Sequence, residues 1–259
     1  LWPSWTGASP RLFSLASRAL ACAAGQPDES PEALARTLYE YNRLPAIPRR
    51  LAIWTGRSTV HDAVVGAIPR GSYTHAVTGA PGWLHWRGAG RGAVAGGRLK
   101  FYVSPHPDEL RDALGSVVPA LARHGSPSFK IASEAYGLLR PDKLVVYLDG
   151  DIDIESLARD LAKALAGCRA HGVPFSAPLA PSGIVSWGID PPPVSGGRPS
   201  WRAWIATRLG DALAVERRRP AAARGAVEVA LRRLARDGVN TRRWAPTPAL
   251  AKSLLGGAA

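Results

Sequence analysis

Cysteine is nearly absent: Cys22 and Cys168 are the only two in 259 residues. Two thiols cannot build a disulfide scaffold or a cysteine-rich zinc cluster, and that usage fits a reduced, cytoplasmic setting. Methionine is missing altogether, even at the first position, which is Leu1, so the true start of the chain is expected upstream. No apolar run reaches the about 18 residues that a membrane helix needs. The segment Arg11 to Ala24 runs from charged to apolar to small residues, as a signal peptide does, but Arg18 interrupts the apolar stretch and makes an amphipathic helix the better reading. Acidic residues are also scarce, with 20 Asp+Glu against 33 Lys+Arg for a formal charge of +13. Such a balance attracts an acidic peptide, a phosphorylated substrate or nucleic acid. Abundant Arg, Gly, Ala and Pro give the excess a second reading, as the mark of a genome rich in G and C.

Several catalytic signatures are missing as well. His61, His75, His85, His106, His124 and His171 are scattered, with no HExxH or CxxC companion, so neither a metal nor another cofactor is expected. The glycine-rich stretch Gly88 to Gly97 lacks the Walker lysine and a following helix, and reads as a loop. No GxSxG elbow is present, which removes the common serine-hydrolase arrangement. Arginine runs at 217–219, 232–233 and 242–243 lie on or after C-terminal helices and read first as solvated faces. The nine tryptophans are spread over the chain rather than interleaved with basic residues, which disfavours nucleic-acid binding.

What remains is a chain with 46% hydrophobic residues, enough for a sizeable core. Leu12 to Ala24 and Pro31 to Arg43 read as helices, the second with Ser30 as cap, Pro31 in the first turn, and Leu34, Leu38 and Tyr41 on one face. From Arg49 to Gly97 glycine and aromatics dominate, and loop with short strands or hairpins is expected. Strands are expected at Lys100–Ser104, Ser128–Ser133, Leu144–Leu148 and within Gly183–Gly188. Helices are expected at Pro107–His124, Ile154–His171, Ser200–Arg217 and Ala226–Asp237. The fold class is therefore α+β: residues 1–259 form one domain with a mixed or antiparallel central sheet flanked by helices. A helical N-terminal segment covers 1–48, and the core of the site lies within 97–245.

Lys100-Phe101-Tyr102-Val103, Ser128-Phe129-Lys130-Ile131 and Leu144-Val145-Val146-Tyr147 are strand-like, and each carries a polar residue that a simple core does not need. Alternation along a strand puts Lys100 and Tyr102 on one face and Phe101 and Val103 on the other. With Lys130, with Tyr147, and with Arg140 at the head of Arg140-Pro141-Asp142-Lys143, two amines, a guanidinium and two phenols can converge on one sheet, with no carboxylate among them. That group suits an anionic substrate and proton transfer. The competing reading is a pair of edge-strand lysines beside an ordinary Arg-Pro-Asp turn.

The order of these residues, a Lys-x-Tyr strand, a Phe-Lys segment thirty residues on, and an Arg-x-Asp turn leading to a strand with a tyrosine, resembles the phosphothreonine lyase superfamily. Leu38-Tyr39-Glu40-Tyr41 and Ser200-Trp201-Arg202 look most like its type III effector A-type branch, used as a stand-alone lyase in class V lanthipeptide and thioamitide pathways. The resemblance spans roughly Leu34 to Leu213. It implies β-elimination of phosphate from a phosphorylated precursor peptide, giving dehydroalanine or dehydrobutyrine, with a separate peptide kinase and a cyclase as partners, no cofactor and no membrane. Lys130 is then the base and Lys100 polarises the carbonyl. Arg140 and Arg202, with Lys143, hold phosphate, and Tyr147 orients phosphate or base. The family's acid is a histidine two residues after the first lysine, and here that position is Tyr102. The acid is therefore Tyr102 or nearby His106, or else the chain binds a phosphopeptide without turning it over, as a scaffold for a kinase and cyclase.

Overall fold

The computed structural model describes residues 8–26, 29–54, 60–76, 81–89, 98–148, 152–193, 197–217 and 225–256. Its first helices are α1 (Pro10–Ala24) and α2 (Pro31–Glu40). Both begin on a serine whose Oγ accepts a backbone N–H, Ser9 from Leu12 and Ser30 from Ala33, with proline in the first turn. α1 buries Leu12, Leu15, Ala16, Ala19 and Leu20, as an amphipathic helix does. The segment read as loop contains two helices, α3 (Pro48–Ala52) and α4 (Val60–Ala67), before the hairpin β1 (Tyr73–Ala76) and β2 (Trp83–Gly88). Val60 and Val64, one turn apart, are the buried pair that holds α4 in place. Most of the glycine run 88–97 lies outside the described residues.

The better-patterned part follows: β3 (Leu99–Val103), α5 (Leu110–Arg123), β4 (Phe129–Ala132), α6 (Ala135–Leu138), β5 (Leu144–Leu148), α7 (Ile154–Ala164), β6 (Ala177–Pro178) and β7 (Val185–Ile189). Residues 107–109 form a 3₁₀ turn ahead of α5 instead of its first α-helical turn. α7 stops at Ala164, short of His171, because the chain beyond it is drawn to the end of β3: Pro105 bridges Ala170, and His171 N–H donates to Ser104 O at 2.8 Å. The C-terminal part holds α8 (Trp201–Arg217), α9 (Ala226–Arg236), the small pair β8 (Val239–Asn240) and β9 (Ala245–Pro246), and α10 (Pro248–Gly256).

The fold is α+β, with a seven-stranded sheet in the order β1-β2-β4-β5-β3-β7-β6. Every pairing is antiparallel. β5 is buried at all five positions, as a strand covered on both faces must be. On one face Phe101, Val103, Phe129, Ile131 and Val146 join the main core with Leu114 and Val117 of α5 and Leu157 and Leu161 of α7. On the other, Tyr102, Val145, Tyr147 and Val173 form a small separate cluster. α8 reaches that second face at Gly188, where a Cβ would stand 2.5 Å from Trp201 Cδ1. Only a residue without a side chain lets the start of α8 sit so close to β7. α2 and α9 pack on α8.

Candidate active site

Directly opposed residues of an antiparallel pair share a face. One row therefore crosses five strands, running His85, Lys130, Val145, Tyr102 and Ser186 through β2, β4, β5, β3 and β7. The adjacent row sets Tyr147 opposite Lys100 and Lys100 opposite Gly188. The two lysines thus occupy the strands on either side of β5, which carries Tyr147. Both strands are interior, so these lysines are not edge-strand protection.

Two aromatic rings each adjoin two of the cations. Lys100 Nζ lies 5.0 Å and Lys130 Nζ 5.8 Å from the centroid of the Tyr147 ring. Lys130 Nζ is also 4.3 Å from the Trp83 ring, and the Arg140 guanidinium is 5.6 Å from that same ring. Cation–π attraction offsets part of the cost of crowding like charges. Burial first, and then the Lys100 charge, pull the Lys130 pKa down to about 8 against the opposing influence of Asp142 and Asp190. A large share of Lys130 is therefore a free amine in mildly alkaline water. Beside Trp83 and Arg140 an open cavity of about 210 Å³ is lined also by Arg43, Glu134 and Tyr136.

Two carboxylates stand among these cations, where the sequence pattern led us to expect none. Asp190, directly after β7, forms an ion pair with Lys100 and accepts the Trp201 N–H at 2.9 Å. Asp142 is buried and accepts from Arg140 Nε at 2.9 Å and NH2 at 3.1 Å, from Arg202 NH1 at 2.7 Å and from the Tyr39 hydroxyl at 3.2 Å. Burial pushes its carboxyl up, but the Arg202 and Arg140 guanidiniums outweigh this and hold it well below the usual carboxylate range.

The other expected site residues fall in different places. Arg202 is 1% exposed, and Nε donates to Pro174 O at 3.0 Å, NH1 to Asp142 and NH2 to Tyr39 O at 2.8 Å. All three nitrogens are thus engaged inside the protein, and Arg202 ties α8 to Asp142 and α2 instead of facing an open phosphate site. Lys143 is fully buried, donating to Pro105 O at 3.0 Å and to His171 Nδ1 at 2.9 Å. Its ammonium is enclosed there, and burial lowers its pKa to about 7. His106 caps the 3₁₀ turn through the Asp108 N–H, with the His171 ring 6.3 Å away. The charged groups around it, Asp108, Arg169, Arg50 and Lys143, are not those around Lys130. Tyr102 is 3% exposed, its hydroxyl buried without a hydrogen-bond partner. Burial and the Asp190 charge push its pKa well above the ordinary phenol value, and the same two causes raise Tyr147.

Sequence reasoning overlooked Trp83, His85 and Asp190. Trp83-Leu84-His85-Trp86-Arg87 alternates between the two faces with strand period, a signal masked by the surrounding glycines. Asp190 follows the Gly183–Gly188 pattern by two residues and could be linked to Lys100 only through the β3–β7 register. Among the described residues no group of three or more His, Cys, Asp or Glu is placed to hold a metal ion, and no helix is long and apolar enough to cross a membrane.

Two effector proteins of Pseudomonas syringae share this fold. The effector of pathovar tomato strain DC3000 aligns with a TM-score of 0.59 at 11% identity, covering 92% of this chain and 99% of its own. The effector of pathovar syringae strain 61 gives 0.54 at 11% identity, over 91% and 98%. The phosphothreonine lyase SpvC, an effector protein from Salmonella, aligns over 71% of this chain and 91% of its own, with a TM-score of 0.39 and 12% identity. No family model matches the chain, and no curated protein matches it in sequence.

Proposed function

We propose that the protein is a lyase that eliminates phosphate from phosphoserine or phosphothreonine in a precursor peptide. The products are dehydroalanine or dehydrobutyrine, in the biosynthesis of a ribosomal peptide natural product. The observation that carries this reading is the grouping of Lys100, Tyr147, Lys130 and Trp83 on one face of the sheet, with Arg140 against Trp83 and Lys130 lowered to about 8. Neutral Lys130 takes the Cα proton, the C–H electron pair becomes the Cα=Cβ bond, and the Cβ–O bond breaks with its electrons leaving on phosphate. Lys100, anchored by Asp190, offers positive charge to the carbonyl as the enolate develops. Arg140 keeps NH1 for phosphate, since its hydrogen bonds among the described residues use Nε and NH2. The excess of basic residues suits a phosphorylated or acidic peptide made available by a separate kinase and passed on to a cyclase.

A second reading, a phosphopeptide-binding scaffold without turnover, is favoured by the enclosed Tyr102 hydroxyl at the position where the resemblance requires an acid. Nucleic-acid binding has less support, because Trp54, Trp86, Trp187, Trp201 and Trp244 are buried and present no stacking surface. Lys130→Ala separates the first two readings: a lyase loses turnover and keeps phosphopeptide binding, whereas a scaffold shows no phosphate release in either form.

A further inference from the structure

An elimination of this kind needs a proton for the departing phosphate oxygen, and neither expected donor is placed to give one. Tyr102 is buried as a whole residue, 3% exposed where His85 is only partly buried, and its pKa is raised well above the phenol value, and His106 sits with Asp108 and His171. His85, by contrast, stands directly opposite Lys130 in the β2–β4 register, on the same face as Trp83. Directly opposed side chains start from Cβ atoms about 5 Å apart. Its Nε2 is shielded from water and has no hydrogen-bond partner, a state that a buried polar atom keeps only at a cost. We infer that His85 is the proton donor to the leaving phosphate, an assignment that rests on the lyase reading above.

The step balances. Lys130 Nζ gains the Cα proton and becomes an ammonium, the Cα=Cβ bond forms, and the Cβ–O bond breaks. The imidazolium N–H of His85 passes its proton to the oxygen that leaves, so phosphate departs protonated and His85 becomes neutral. Solvent exchange restores both groups. In the free protein, burial, the Lys130 charge from β4 and His75 from β1 hold the His85 pKa below its ordinary value. Arg87, two residues along β2, lies on the same strand face. A phosphate dianion entering between His85 and Arg140 reverses that balance and draws a proton onto the ring. The donor is thereby armed by the substrate it serves.

The test compares the wild type with His85→Gln, using a panel of synthetic phosphoserine and phosphothreonine peptides, with kcat/KM followed from about pH 6 to about pH 10 by phosphate release. A titrating donor makes the wild-type rate fall on the alkaline side. His85→Gln is expected to lose about 100-fold or more in kcat, and its remaining rate is expected to rise through about 8, the Lys130 value, and level off without an alkaline fall. Binding is read by fluorescence anisotropy in the Lys130→Ala background, where turnover is removed; adding His85→Gln there should weaken Kd by no more than about ten-fold, the part that proton uptake by the ring adds to affinity, well short of the loss in kcat. Retained binding also shows that the variant folds. A kcat within about three-fold of wild type, or a fall in kcat/KM matched by an equal weakening of Kd, overturns the assignment. A wild type that releases no phosphate from any peptide overturns the lyase reading itself, and the assignment with it.

Discussion

Lys130 and Lys143 are both lysines displaced from an ordinary pKa of 10.5, yet their surroundings divide them between chemistry and structure. Lys130 is partly open, faces other cations across aromatic rings and sits near about 8. Lys130→Arg keeps a charge that cannot be lost at working pH, so turnover of a phosphopeptide should vanish while its binding persists, as read by phosphate release and anisotropy. Lys143 is enclosed, and its shift to about 7 is a stability statement. Below about 7 the ammonium is charged in both folded and unfolded chains, and the fold carries the full cost of enclosing it. Between about 7 and about 10.5 the unfolded chain binds the extra proton, so stability rises with pH across that window and stops rising above it. Lys143→Met should flatten this dependence, and urea titrations of wild type and variant at matched pH values would read the difference in slope.

At the scale of elements, the site depends on how α8 is clamped against the sheet. Asp142 precedes β5 and holds Arg140 together with Arg202 of α8. Asp142→Asn removes the charge that both guanidiniums face and leaves Arg202 buried without it, so a loss of about 3–5 kcal/mol in chemical denaturation is expected. Gly188→Ala drives a methyl group into Trp201 and should cost about 1–3 kcal/mol while displacing the start of α8. The local half of this arrangement was legible in the sequence. Alternation in Lys100-Phe101-Tyr102-Val103 assigns faces correctly, and Ser9, Ser30 and their prolines mark helix starts by local chemistry alone. The long-range pairing was not legible: which carboxylate meets Lys100, and that Arg202 is consumed by Asp142, depend on contacts between residues 90 and 60 positions apart. α4 escaped for a different reason, since only its two buried valines signal a helix among glycines and aromatics.

For the whole molecule, one sheet divides two environments. One face belongs to the hydrophobic core with α5 and α7, and the other carries cations, aromatic rings and the small Tyr102–Tyr147 cluster under α8. Two Pseudomonas effectors of the same fold show that this architecture tolerates near-complete sequence divergence, so function has to be argued from the side chains on the second face. The formal charge of +13 should speed encounter with a phosphorylated peptide at low salt, and raising ionic strength from about 0.05 M to about 0.5 M should slow association more than dissociation, as stopped-flow fluorescence would show. The most direct measurement is mass spectrometry of a phosphorylated precursor peptide after incubation with the wild type and with Lys130→Ala. Lyase chemistry predicts that the wild type alone releases one phosphoric acid per modified residue and leaves a dehydroamino acid that a thiol can trap. Phosphopeptide unchanged at saturating wild-type protein, or equal loss with Lys130→Ala, would contradict it.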